Sequence, residues 1–229
     1  MRNITFKFNK HQLNQLLKWL IVFELLLVSL YILNYYFHLF KHHHHLLDLD
    51  AEQTIGSWFS SCQLLLISVF LLVNNFREPS PNPTSCKFLT LIGLGFMFLS
   101  LDESASIHES TSALLQHVTW MPRFKDEQGL WIPVYAVIGL SLIWLTRKSL
   151  FEIWLRHKKE CTIFTYGFLT LLFGAVVLEI ISYQYLRAPN LYNWYLIEVA
   201  LEEGLEMLGA SIMLYAVLLF TLKSNNIYQ

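Results

Sequence analysis

Charged side chains are scarce in this sequence. Of its 229 residues, 14% are Asp, Glu, Lys or Arg and 55% are hydrophobic, whereas a soluble domain has roughly 25% charged residues. The formal net charge is −1, and no basic patch with interleaved aromatic residues is present, so we expect no nucleic-acid partner. No polar segment is long enough to form a separate soluble domain. The composition therefore predicts a membrane protein.

Cysteine is rare, and the common catalytic motifs are missing. The three cysteines, Cys62, Cys86 and Cys161, form no C-x-x-C pair and have no metal-finger spacing. There is no His-Glu-x-x-His, no Gly-x-Ser-x-Gly and no Walker loop. The histidine boxes of membrane desaturases, the histidine triad of ceramidase-like hydrolases and a mid-membrane lysine for retinal are also absent. These absences weigh against the corresponding classes of enzyme and against a rhodopsin.

Six long apolar segments approach the ~20 residues that a helix needs to cross a bilayer. They are Trp19–Phe37, Trp58–Phe76, Phe88–His108, Trp131–Thr146, Phe164–Leu186 and Trp194–Leu222. The sequence therefore predicts an all-α polytopic integral membrane protein, a bundle of about six transmembrane helices. Residues 1–18 are predicted to form a cytoplasmic N-terminal segment, 19–222 a single six-span domain and 223–229 a cytoplasmic tail. The apolar stretch after residue 18 is interpreted as a retained span, because it is longer than the core of a cleaved signal peptide.

The basic residues predict the orientation. Twelve of the sixteen Lys and Arg residues lie before the first span, in the second and fourth connections, or in the tail. Cytoplasmic loops of membrane proteins are enriched in Lys and Arg. We therefore expect both termini to be cytoplasmic and the protein to lie in the plasma or inner membrane.

Acidic residues are concentrated where a membrane protein rarely carries them, within or at the mouths of the predicted spans. Eight of these belong to spans three, five and six: Asp102, Glu103, Glu109, Glu179, Glu198, Glu202, Glu203 and Glu206. The predicted orientation places all eight in the outer half of the membrane. Glu24 is the exception, since it falls in the inner half of span one.

Helical spacing groups these acids into faces. Asp102, Ser106 and Glu109 recur at i, i+4 and i+7, and Glu198, Glu202 and Glu206 at i, i+4 and i+8, so each set is predicted to share one face. Glu179 precedes Tyr183 by four residues and shares its face. An ideal helix turns His108 about 100° away from Glu109. Either a local bulge re-aims His108 into the site, or it packs beside Ser104 outside it.

The acids need compensation, because each costs roughly 2.5–3.5 kcal/mol near the bilayer centre. No Lys or Arg lies beside them within the same helical stretches, so we expect water, protons or a bound cation. Asp, Glu and His together suit Zn, Fe or Mn. The sequence predicts a divalent metal ion with these ligands: Asp102, His108, Glu109, Glu202 and Glu206. The histidine run at 42–45 is expected to be a solvated, incidental cluster.

These features favour a metal-dependent membrane enzyme that acts on a lipid or another membrane-resident molecule. Glu103 and Glu203 are the candidate acid/base residues, with Glu179, Tyr183, Glu198 and Ser106 in support. A proton- or cation-coupled transporter or channel subunit is the alternative, and the inner position of Glu24 favours it. A structural subunit whose acids bind a cationic partner helix is the third possibility.

Overall fold

Seven helices make up the computed structural model of the protein, which describes residues 9–37, 44–77, 83–125 and 129–227. They are α1 (Lys10–Tyr35), α2 (Ile55–Arg77), α3 (Pro83–Ala105), α4 (Ile107–Leu115), α5 (Trp131–Arg156), α6 (Lys158–Leu186) and α7 (Tyr192–Ile227). The described ranges contain no β-strand. All the helices except α4 are long and apolar enough to cross a membrane, which indicates a membrane-embedded protein. The all-helical class and the six long apolar helices are confirmed.

The bundle is organised around α7, which packs against α1, α2 and α6. Of its most apolar window 61% is buried, compared with 11% for α5, which rests on α3 and α4 at the edge of the bundle. Glycines allow α6 and α7 to approach closely. A Cβ atom added to Gly167 would lie 2.7 Å from the carbonyl oxygen of Gly209. Small residues at such a crossing are typical of helix packing in membranes.

Two helix boundaries differ from the prediction. Helix α1 begins at Lys10, before the predicted span start at Trp19, because Asn9 and Gln12 form a capping box: each side chain bonds the backbone N–H of the other. The fourth predicted connection, between the spans Trp131–Thr146 and Phe164–Leu186, is helical: α5 ends at Arg156 and α6 begins at Lys158. That segment contains no glycine or proline to stop a helix, so its positive charge does not mark a loop.

Contacts between connections define two ends of the bundle. At one end Tyr35 Oη donates to Asp48 at 2.9 Å and Tyr195 Oη to Asp50 at 2.6 Å. At the other end Lys223 pairs with Glu160 at 3.4 Å. We call the first the acidic end, because the predicted acids of α3, α6 and α7 lie there.

Candidate functional site

The connection between α1 and α2 covers the acidic end and adds acids to it. Asp48, Asp50 and Glu52 alternate along this segment, and Glu52 lies near Asp102 and Glu109. Sequence reasoning missed these three acids because they lie outside every apolar span. Their i, i+2, i+4 spacing was the available signal, since alternate residues of an extended chain point the same way. Of the histidine run, His44 and His45 are exposed, and residues 42 and 43 lie outside the described residues.

A break between α3 and α4 turns His108 towards Asp102. Ser106 has φ 50°, a left-handed conformation that is uncommon for a residue other than glycine. The backbone N–H of His108 then donates to Asp102 Oδ1 at 2.7 Å, and His108 Nδ1 lies 3.3 Å from the same oxygen. Tyr135 Oη on α5 also donates to it, at 3.2 Å. The prediction of one continuous face through Asp102, Ser106 and Glu109 was therefore wrong: the helix ends at Ala105, and Glu109 is exposed.

The charges of His108 and Glu52 support each other. Burial opposes the charge of His108, but the hydrogen bond to Asp102 and the carboxylates of Glu52 and Glu103 outweigh it, so its pKa lies above the ordinary value. Burial raises the pKa of Glu52, and nearby Glu109 and Asp102 raise it further, while His108 and the Ser106 hydroxyl oppose the rise. Asp102 and His108 thus form a hydrogen-bonded pair beside further carboxyl groups.

A second group of acids lies between α6 and α7. Helix α6 adopts π-helical geometry at Phe173–Leu178 and again at Ser182–Leu186, on either side of Glu179. Such turns re-aim side chains and are frequent at functional sites. Here Glu202 and the Tyr183 hydroxyl are electrostatic neighbours of the Glu179 carboxyl group. Two neighbouring carboxylates repel each other, so a pair of this kind is stabilised when the two groups share a proton or a cation.

Glu198 extends this second group. The side chain is 6% exposed and lies beside Glu202 and Ser182. Within the described residues neither of its carboxylate oxygens has a hydrogen-bond partner, and neither does the buried hydroxyl of Ser182. A buried, unpartnered carboxylate is costly, so this position calls for a proton, water or a cation.

Glu103, Glu203 and Glu206 lie between the two groups. Glu203 and Glu206 have Glu103 and Glu179 among their electrostatic neighbours, and Glu206 also has Glu52. Gly174 brings α6 onto this part of α7, since a Cβ there would lie 2.9 Å from Glu206 Cγ. We call the whole set the acidic cluster: Glu52, Asp102, Glu103, Glu179, Glu198, Glu202, Glu203 and Glu206.

The predicted metal ligands are divided within this cluster. Asp102 and His108 belong to the first group, Glu202 to the second, and Glu206 lies between them. Across the part of the chain that the structure describes, no three His, Cys, Asp or Glu side chains are arranged to hold a metal ion. The cluster is a carboxylate-rich region with one imidazole.

Arg187 borders the acidic cluster at the end of α6. Its guanidinium carbon lies 4.5 Å from the centre of the Tyr183 ring and 5.7 Å from that of Tyr195. Asp50 and Glu179 are its acidic neighbours. One arginine and one histidine cannot neutralise the whole cluster.

Glu24 lies apart from the cluster, in the interior of the bundle. It is 4% exposed, and its Oε1 accepts hydrogen bonds from Gln63 Nε2 on α2 at 3.1 Å and from Ser211 Oγ on α7 at 2.5 Å. This arrangement joins three helices through uncharged donors.

Comparisons with known proteins identify a family but no activity. No curated protein and no solved structure matches this chain. The family model described as "Domain of unknown function (DUF8692)" matches residues 19–222, which include all six long helices apart from the first turns of α1 and the last of α7. The chain therefore belongs to the DUF8692 family.

Proposed function

We propose that this protein is a multi-pass membrane protein that binds a divalent metal ion in its acidic cluster and uses it in acid–base chemistry on a lipid or another membrane-resident molecule. The observation that supports this most directly is the charge imbalance. Carboxyl groups from α3, α6, α7 and the α1–α2 connection converge, and among the described residues only His108 and Arg187 are basic neighbours. In a low-dielectric interior such an excess of carboxylates requires cations.

The ligand types agree with a metal of the Zn, Fe or Mn class. Asp102, His108, Glu202 and Glu206 are the ligands we propose, while the exposed Glu109 is the weakest of the predicted set. A bound divalent ion would polarise a substrate oxygen or activate a water molecule. Glu103 and Glu203 would accept or return the proton.

Titration of the metal-stripped protein with Mn²⁺, followed by electron paramagnetic resonance, tests this proposal. We expect saturable binding that Asp102→Asn and Glu206→Gln each weaken roughly tenfold or more, as losses around a metal centre usually do. Glu160→Gln is the control, because Glu160 pairs with Lys223 at the opposite end of the bundle. Equal, non-saturable binding in all four proteins would refute the metal site.

Proton-coupled transport is the second candidate, and the Glu179–Glu202 pair favours it because two adjacent carboxyl groups can share a proton. Glu24 provides an acid at another depth. Uptake of protons into liposomes that contain the protein, lost in Glu202→Gln, would support transport over enzymatic activity. A structural role has little in its favour, since Asp102, Glu198 and Glu202 are buried within the bundle.

We also propose that both termini lie on the cytoplasmic side. Six crossings place the two termini on the same side of a membrane, and the excess of Lys and Arg at that end supports the cytoplasm. The acidic end then faces outward, in the plasma or inner membrane.

A further inference from the structure

Glu24 has a polar environment that no part of the acidic cluster supplies. Gln63 Nε2 donates to Glu24 Oε1 and also to Ser211 Oγ, at 2.8 Å. Ser211 Oγ in turn donates to Glu24 Oε1. Both hydrogen bonds therefore reach one oxygen of the carboxyl group.

No positive charge accompanies these donors. In the described parts of the chain, the partners of Glu24 are the amide of Gln63 and the hydroxyl of Ser211. Helix α2 carries no charged side chain between residues 55 and 74, and Cys62 is its one titratable group there. On α7 the nearest acids are Glu206 and Glu203, one and two turns before Ser211. Neither residue supplies a positive charge to Glu24.

The side chain of Gln63 also has an acceptor without a donor. Gln63 is 2% exposed, and its Oε1 has no hydrogen-bond partner among the described residues. The opposite amide orientation would place Oε1 against Glu24 Oε1, two acceptors face to face, so the observed orientation is the consistent one. A buried amide oxygen is rarely left without a donor.

We propose that Glu24 is a proton-binding site, in which the protonated carboxyl group donates from Oε2 to the free Oε1 of Gln63. An acid and an amide can pair through two antiparallel hydrogen bonds, and one of them, from Gln63 Nε2 to Glu24 Oε1, is already present. Protonation forms an O–H bond at Oε2 and thereby supplies the donor of the second hydrogen bond. It also removes an unpaired charge from the bundle interior. This site is independent of whether the acidic cluster holds a metal ion.

Glu24→Gln tests the proposal because glutamine copies the protonated acid: one oxygen accepts, and one N–H can donate to Gln63. Infrared spectra of the reconstituted full-length protein should contain a C=O stretching band of a protonated carboxylic acid that is lost in Glu24→Gln. The band should shift in Ser211→Ala, which removes one hydrogen bond to Oε1. Bands from the acidic cluster should be the same in all three proteins.

Thermal unfolding provides a second measurement. A proton held in the folded state stabilises the protein at low pH, and this contribution is lost as the pH rises through the titration of the folded protein. We expect Glu24→Gln to unfold at the wild-type temperature at low pH, where the acid is protonated in both states, and to fall less as the pH rises above about 4.3, the ordinary value of Glu. An unchanged infrared band in Glu24→Gln would overturn the assignment. So would stabilisation of the wild type by Na⁺ that Glu24→Gln abolishes, which would assign a metal cation to this position. Mn²⁺ binding distinguishes this site from the acidic cluster. Glu24→Gln should bind Mn²⁺ as the wild type does, because Glu24 is not one of the proposed metal ligands.

Discussion

His108 owes its position to the conformation of a single residue, Ser106. The left-handed backbone of Ser106 ends α3 and lets the N–H of His108 reach Asp102. For an L-residue such a conformation costs roughly 1–2 kcal/mol, so the surrounding contacts must maintain it. Backbone strain of this kind is common at functional sites, and here it creates the Asp102–His108 pair.

In protein from which a chelator has removed any metal, replacement of His108 by Gln should make the free energy of unfolding less dependent on pH. The pKa of folded His108 is raised, so its contribution is present below the unfolded value of about 6.5 and is lost as the pH rises through the folded value. We expect the free energy of unfolding of the wild type to exceed that of His108→Gln by about 1.5–3 kcal/mol at low pH, the size of one hydrogen bond to a charged group. Thermal unfolding across a pH series measures this difference.

His117→Gln is the matched control, because His117 is an exposed histidine just beyond the end of α4, the helix that carries His108. It should leave the pH dependence unchanged. A constant offset between His108→Gln and the wild type at every pH would contradict the account.

The acids of α7 could be predicted from the sequence, whereas their partners could not. Helical periodicity places Glu198, Glu202 and Glu206 together, and the structure keeps that helix unbroken. Glu52 carries no helical signal, and its alternation with Asp48 and Asp50 does not indicate which helix the connecting segment contacts. Ser106 was also unpredictable, since nothing in the sequence around a serine requires a left-handed residue.

At the scale of helices, the contact between α6 and α7 positions the second group of acids. Gly167 and Gly209 allow the two backbones to touch, and Gly174 continues the contact beside Glu206. The π-helical turns of α6 then rotate Glu179 relative to an ordinary helix. Apolar periodicity predicted the existence of α6 but not this rotation, because π turns arise from packing and not from composition.

Gly209→Ala should destabilise the bundle, because the added Cβ would lie 2.6 Å from the Gly167 carbonyl oxygen and from the Leu171 backbone nitrogen. These are backbone atoms that cannot move aside cheaply. Overpacking of this kind costs about 1–3 kcal/mol. Thermal unfolding in detergent should record a lower midpoint.

Gly139→Ala is the control for helix propensity. A Cβ at Gly139 on α5 meets no atom within 4 Å, so stability should rise by up to about 1 kcal/mol, the helix-propensity gain of Ala over Gly. Equal midpoints for Gly209→Ala and Gly139→Ala would mean that α6 and α7 do not make this close contact.

At the scale of the whole molecule, the acidic cluster lies at one end of the bundle, and the junction of α5 and α6, with Arg156, Lys158 and Lys159, lies at the other. The connections around Glu52 and Arg187 gather at the acidic end, while Lys223 and Glu160 mark the other. This division supports an outward-facing site and a cytoplasmic basic surface.

Labelling with a membrane-impermeant thiol reagent tests that orientation. In a background without the native cysteines, Gln53→Cys should react in intact cells, because Gln53 is exposed at the acidic end. Lys159→Cys should react only after the membrane is opened. The reverse pattern would place the acidic end in the cytoplasm.

Metal analysis of the protein as purified, without added metal, tests the central claim most directly. The account predicts about one or more equivalents of Zn, Fe or Mn in the wild type, the usual occupancy of one- and two-metal sites, and a marked loss in Asp102→Asn combined with Glu202→Gln. Glu24→Gln should keep the wild-type content. Near-zero metal in the wild type and in both variants would contradict a metal-binding acidic cluster and leave protons as the cations of this site.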